Sequence, residues 1–206
     1  YWYRNPGNAA GTWARSAFGS PLNNLAVLDD FDSDGDIDVL GTEGVNSESA
    51  PELVYGRNDG QGGFTRFQGI ASGSGDFLQG AAVARLSPGD PKRVVLSWHA
   101  GPSIVEALVV PSNPAGGSWA LETLATTSER EETSPGDIDR DGDEDVLLGT
   151  LWLDNDGGTT LDARTVFPSP ELADRNRLAD INRDWRIDAF GAYAIVQETA
   201  EIATVT

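Results

Sequence analysis

The sequence predicts an all-β fold of repeated units, each with four antiparallel strands, and three observations predict it. An acidic nine-residue loop recurs along the 206-residue chain. Asparagine-led turns recur out of phase with that loop but at the same period. Short apolar or aromatic runs flank every loop and turn, and no stretch carries a convincing helical period. Four strands in roughly 40–55 residues is the size of a propeller blade, so the predicted architecture is a β-propeller.

The loop stands first at Asp30-Phe-Asp-Ser-Asp-Gly-Asp-Ile-Asp38, with carboxylates at positions 1, 3, 5, 7 and 9. So many like charges in one tight turn would repel unless a hard cation neutralised them. Oxygen-only donors, flexible carboxylates and the turn glycine Gly35 suit Ca2+ better than Mg2+, which keeps its waters. Asp30, Asp32, Asp34 and Asp38 are the expected side-chain ligands, and Asp36 is expected to give its backbone carbonyl. An EF-hand would need Glu at position 12, where Gly41 stands, and flanking helices. Leu25-Ala-Val-Leu28 before the loop and Val39-Leu40 after it read instead as strands.

The loop recurs as Asp137-Ile-Asp-Arg-Asp-Gly-Asp-Glu-Asp145 and, altered, as Asp180-Ile-Asn-Arg-Asp-Trp-Arg-Ile-Asp188. In the altered copy Trp185 replaces the turn glycine, and a bulky residue at positive φ is strained. That copy is therefore expected to be distorted or weak. A degenerate copy, Arg85-Leu-Ser-Pro-Gly-Asp-Pro-Lys-Arg93, keeps the flanking runs Ala81–Ala84 and Val94–Leu96. It has no carboxylate at a ligand position, so it is expected to bind no metal. A guanidinium is expected near the ion's place, donating to Asp90 or to loop carbonyls. The copies start at residues 30, 85, 137 and 180, in steps of 55, 52 and 43.

The turn asparagines are Asn5, Asn58, Asn113 and Asn155, in steps of 53, 55 and 42. Asn and Gly tolerate the left-handed backbone that such turns need. Each turn leads into a further strand: Thr12–Phe18, Phe64–Phe67, Trp119–Leu124 and Leu161–Phe167. A full unit thus runs strand, acidic loop, strand, connection, strand, Asn turn, strand. Residues 1–18 make a half blade, 24–69, 76–125 and 131–168 full blades, and 175–206 a partial blade. All lie in one repeat region, 1–206, without an internal boundary. Ser47–Pro51 and Ser128–Thr133 read as exposed connections. The two partial units would together close a four-blade ring. A larger propeller is favoured, because the sequence opens in the middle of a unit.

The Asp-x-Asp-x-Asp-Gly-x-x-Asp pattern at Asp30–Asp38 and Asp137–Asp145 resembles the FG-GAP/VCBS repeat family, known from integrin α-chain propellers and many secreted bacterial proteins. The repeats that carry the resemblance cover nearly the whole chain. It implies a β-propeller in which the loop joins the first two strands of a blade and binds Ca2+. It also implies two strong sites, Asp30, Asp32, Asp34, Asp36 and Asp38 in one and Asp137, Asp139, Asp141, Asp143 and Asp145 in the other. Asp180, Asn182, Asp184, Arg186 and Asp188 would form a third, weaker site, in which Arg186 can offer only its carbonyl. The resemblance does not fix a function, since this scaffold carries many roles.

Composition narrows the partners. With 33 acidic against 14 basic residues, the net charge is −19. Three divalent ions would still leave about −13, a field that repels phosphate backbones and anionic membranes. Nucleic acid is therefore not an expected partner, and no stretch approaches transmembrane length. Cysteine is absent, so metal ions take the place of disulfides, which suits a secreted or cell-surface location, extracellular or periplasmic. Methionine is absent as well, as expected for a processed mature form or an internal piece.

The favoured function is an extracellular, calcium-stabilised binding or adhesion module that recognises a glycan or protein ligand. Blade packing accounts for most of the tryptophans, and Trp185, placed in a loop, is the recognition candidate. One alternative is the propeller scaffold of a polysaccharide-active enzyme of the lyase or dehydratase type. Another is an architectural unit whose open strand edges pair with another chain or with the rest of a longer one. No catalytic residue is assigned. The single histidine, His99, reads as structural, and no nucleophile elbow, zinc motif or phosphate loop accompanies it.

Overall fold

The computed structural model describes residues 1–22, 24–43, 52–166 and 173–193. Within them the chain is all-β, apart from one short 3-10 turn at Pro114–Gly116. Strands β1 (Trp2–Arg4) and β2 (Ala14–Ser16) form a hairpin. Strands β3 (Asn24–Asp29), β4 (Asp38–Thr42), β5 (Leu53–Asn58) and β6 (Phe64–Phe67) form an antiparallel four-stranded meander. A second meander contains β7 (Leu78–Ala84), β8 (Arg93–Trp98), β9 (Val105–Val109) and β10 (Ala120–Ala125). The third contains β11 (Thr133–Gly136), β12 (Asp145–Leu148), β13 (Leu151–Asp154) and β14 (Asp162–Thr165). A final pair, β15 (Ala173–Ala179) and β16 (Asp188–Tyr193), repeats the first half of a unit. The repeat unit predicted from the sequence is thus the observed sheet, and the sheets are open ones.

Register explains why all four loops, including the degenerate one, belong to one series. The residue before each loop pairs with its ninth residue: Asp29 with Asp38, Ala84 with Arg93, Gly136 with Asp145 and Ala179 with Asp188. The Arg85–Arg93 copy has lost its acids but not its length or its place between first and second strands.

The sheets stack face to face, and the middle one is buried on both sides. Val94 and Leu96 of β8 face a core shared with Leu40 and Tyr55 of the first sheet and Phe31 of its acidic loop. Val95, between them, faces a second core with Val146, Leu148 and Leu153 of the third. This alternation follows from the two-residue period of a strand, and it makes a doubly covered strand read as a continuous apolar run. First strands of successive sheets touch in chain order: β3 with β7, β7 with β11, β11 with β15.

In three of the four loops the eighth residue joins its unit to the one before. Lys92 Nζ lies 2.6 Å from Asp29 Oδ2 and donates to the Asp30 carbonyl at 2.5 Å. Glu144 Oε2 accepts from the Arg85 backbone N–H at 2.6 Å. Leu178 and Ile187 close over Gly136. Three different chemistries fill one geometric role.

Gly80 on β7 is needed where sheets meet. A Cβ there would stand 2.7 Å from Glu132 Cα and 2.7 Å from the Thr133 nitrogen, backbone atoms that cannot step aside. Gly80→Ala is expected to cost about 1–3 kcal/mol in urea unfolding. Gly158→Ala, whose nearest neighbour would be 3.5 Å away, should stay within about 0.5 kcal/mol.

The expectation of an exposed connection at Ser128–Thr133 is corrected. Ser128 and Thr133 are buried, and Glu129 accepts from the Thr150 backbone N–H and, at 2.6 Å, from the Thr150 hydroxyl. A run rich in charge reads as solvated, but here one acid caps the β12–β13 turn. The connection at Ser47–Pro51, the end of the third blade at 167–168 and the tail at 194–206 lie outside the described residues.

Candidate metal centres

Each acidic loop is shaped by its own aspartates. In the first, Asp30 accepts from Asp34 N–H at 3.1 Å and from Gly35 N–H at 3.0 Å, and Asp34 Oδ1 accepts from Asp36 N–H at 3.0 Å. The second repeats this with Gly142 N–H to Asp137 at 3.2 Å and Asp143 N–H to Asp141 at 2.9 Å. These turns require left-handed backbone at position 6, met by Gly35 (φ +94°) and Gly142 (φ +104°). They also use it at position 4, where Ser33, Arg140 and Arg183 have φ of 63°, 72° and 62°.

The ninth aspartate is the hub of each site. Asp38 and Asp145 are fully buried. Asp38 accepts from the Phe31 N–H at 3.2 Å, the Tyr55 hydroxyl at 2.8 Å and the Asn58 N–H at 2.8 Å. Asp145 accepts from Ile138 N–H at 2.9 Å and Asn155 N–H at 2.9 Å. The Asn turn, legible as a hairpin signal alone, is therefore tied to the acidic loop of its own sheet. Burial pushes both carboxyls above their ordinary range, against the pull of these hydrogen bonds.

The structure brings together oxygens of Asp30, Asp32 and Asp38 in one cluster and of Asp137, Asp139 and Asp145 in another, each within 4.8 Å. Either cluster can hold a metal ion. Asp137 Oδ1 is buried without a hydrogen-bond donor, so a cation fits the second site by supplying what the protein does not. Asp34 and Asp141, at position 5, stand outside the clusters. The Asp36 carboxylate lies against Gly60 of its Asn turn, and that of Asp143 against Gly157.

The altered loop keeps the same path. Asp184 N–H reaches Asp180 Oδ1 at 3.1 Å, Trp185 N–H reaches Asp180 Oδ2 at 3.0 Å, and Arg186 N–H reaches Asp184 Oδ1 at 2.9 Å. Ile181 N–H closes on Asp188 at 3.0 Å. Trp185 takes φ +69° and is 83% exposed. The expected distortion is thus absent from the loop backbone, and the strain sits in one residue. Asn182, the one neutral group among positions 1, 3 and 9, donates to Asp184 at 3.2 Å.

In the degenerate loop Arg93 Nη1 donates to Asp90 Oδ2 at 2.7 Å, and Arg85 Nη1 donates to the Asp90 carbonyl at 3.1 Å. The guanidinium groups engage the loop as expected. Arg93 also pairs with Glu122 at 3.2 Å.

Two charged residues beside the acidic loops stand outside the loop motif because they lie on the third strand. Arg57 contacts Asp32 and Asp34. Asp154 is buried beside the second loop, where burial first, then the charges of Asp156, Asp139 and Asp141, push its carboxyl up while Arg164 pulls it down. The only available signal was position: each precedes its turn asparagine.

His99 stacks on Phe77, ring centroids 4.4 Å apart, with Nδ1 2.9 Å from Asp76 Oδ2. Burial raises the Asp76 carboxyl, but His99 and the N–H groups of Phe77 and Ala100 outweigh it and leave it below the ordinary aspartate value of 3.8. A depressed folded pKa adds stability that is complete above the unfolded value and is lost as pH falls through the folded one. Asp76→Asn should cost about 1 kcal/mol at pH 7, and its deficit should shrink below pH 3.8. A deficit constant across a pH series of urea melts would contradict this.

No family model, no curated protein and no solved structure matches the chain.

Proposed function

We propose that the chain is a β-propeller region of the FG-GAP/VCBS kind, held by Ca2+ at its acidic loops, and that it serves as an extracellular glycan- or protein-binding module. Support for the radial arrangement comes from the chain-order contact of first strands and from a core repeated between successive sheets. Support for Ca2+ comes from all-oxygen clusters with flexible carboxylates.

The observation that carries the binding reading is a groove of about 380 Å3 beside the first loop. Trp2, Arg4 and Phe18 of the N-terminal segment line it together with Ile37 of the loop, Asn58 and Phe64. The Arg4 guanidinium lies 5.4 Å from the Trp2 ring. An aromatic wall with a few polar groups suits a sugar face or an extended peptide. Its position makes ligand affinity depend on the order of the metal loop. Trp185 offers a second exposed aromatic surface.

A glycan array probed with calcium, and again with chelator, tests this. Calcium-dependent binding that Trp2→Ala or Trp185→Ala abolishes is the expected result. Turnover of a polysaccharide would favour the enzyme scaffold, and self-association without ligand binding would favour an architectural unit.

A further inference from the structure

The two complete acidic loops face opposite charges from the strand beside them. Asn58 and Asn155 occupy one structural position: each gives its backbone N–H to the ninth aspartate, and each side chain accepts from the glycine two residues on. Val39 pairs with Gly56 as Val146 pairs with Leu153. Arg57 and Asp154 are therefore equivalents. Nothing in the loop sequences distinguishes them.

At the first loop Arg57 Nε lies 2.7 Å from Asp32 Oδ2, and its Nη2 lies 3.4 Å from Asp34 Oδ2. A fixed positive charge thus already touches positions 3 and 5. At the second loop the equivalent residue is a carboxylate whose side chain is 1% exposed. Asp154 Oδ2 meets Arg164, but Oδ1 has no hydrogen-bond donor among the described residues. The charges of Asp139 and Asp141 act on it. With Asp137 Oδ1, two buried carboxylate oxygens therefore lack a donor at this one loop. Buried carboxylate oxygens without donors are disfavoured, and a bound cation satisfies both together.

We propose that Asp154 is an out-of-loop ligand, direct or through one water, for a hard divalent cation held by Asp137, Asp139 and Asp145, and that Arg57 repels the same cation from Asp30, Asp32 and Asp38. The inference rests on the cation reading of the loops and splits sites that are alike in sequence. The second loop fills at low calcium as a structural site. The first fills only at higher calcium, against a guanidinium that is half exposed and free to move away. Since the first loop borders the groove, its occupancy couples ambient calcium to that surface. Arg164, half exposed and over the Trp152 ring at 5.0 Å, is the counter-ion that Asp154 exchanges for the metal.

Calorimetric titration of the full chain with calcium chloride tests this, with Asp139→Ala identifying the event that belongs to the second loop. Asp154→Asn is expected to weaken that event by about 10–100-fold and to leave the first loop's event in place. Arg57→Ala is expected to tighten the weaker event, and Arg164→Ala to tighten the stronger one. If Asp154 serves only as the partner of Arg164, both variants lower stability alike and neither moves calcium affinity, which overturns the proposal. Wild-type binding unmoved by Asp154→Asn and Arg57→Ala overturns it while leaving the cation reading intact. No calcium binding by the wild type overturns both. Should Asp154→Asn fail to fold by circular dichroism, unmoved affinities in Arg57→Ala and Arg164→Ala are sufficient to overturn it.

Discussion

Chelating divalent cations is expected to lower the melting temperature by about 10–20 °C. Each site that binds only the folded chain contributes ~2.7 kcal/mol at a calcium concentration 100 times its dissociation constant. Two such sites give ~5 kcal/mol, a large part of the ~5–15 kcal/mol typical of a folded domain. At this chain length 1 kcal/mol moves the midpoint by about 2–4 °C. The physical origin is the set of acids at positions 1, 3, 5, 7 and 9, whose mutual repulsion the ion removes. Asp32→Ala and Asp139→Ala should each remove part of the calcium-dependent shift, because each deletes the middle member of a cluster. Calcium should restore the midpoint and magnesium should do so poorly, since magnesium demands a near-ideal octahedron and gives up its waters reluctantly. A calorimetric scan with and without EDTA measures the effect. A midpoint indifferent to chelation after exhaustive dialysis would remove the structural role assigned to the ions.

Trp98→Ala is expected to unfold the chain or bring it to the edge of unfolding. Trp98 is 1% exposed and belongs to the core between the first and second sheets. Its indole fills the space over Gly73 and Gly75, where an added Cβ would lie 1.8 Å and 2.2 Å from the ring system and its Cβ. Its Nε1 donates to Glu106 at 2.7 Å, and Glu106 is itself 3% exposed. Truncation therefore opens a cavity, at about 3–5 kcal/mol. It also strips a buried carboxylate of one donor, at about 1–3 kcal/mol. Ser74 would remain as the partner of Glu106, through its backbone N–H at 3.1 Å and its hydroxyl at 2.6 Å. Trp98→Phe keeps most of the volume and loses only the hydrogen bond, so urea unfolding should place it between the wild type and Trp98→Ala. Equal losses in the two variants would show that the hydrogen bond, and not the packing, dominates.

The repeat, the strand class and the acidic loops are legible in the residues alone. All three are local. A strand's two-residue period, an Asx turn and alternating carboxylates are written within nine or ten residues, and register then follows from loop length. This is why even the Arg85–Arg93 copy could be aligned and why its arginines could be expected to engage the loop. Trp185 at positive φ is legible because it stands where the loop turn needs a glycine. Tertiary structure decided everything that depends on which strands become neighbours. The ninth aspartate meets the Asn turn across 20 residues in the first sheet and 10 in the third, an uneven spacing that no motif expresses. Glu129 looked solvated until its sheet turn was in place. Lys92, Glu144 and Ile187 share one role through unlike chemistries, so side-chain identity could not reveal it. Arg57 and Asp154 carry opposite charges at one position of the third strand. Whether such a charge opposes or completes a metal site depends on a through-space distance, and only the packed sheet sets it.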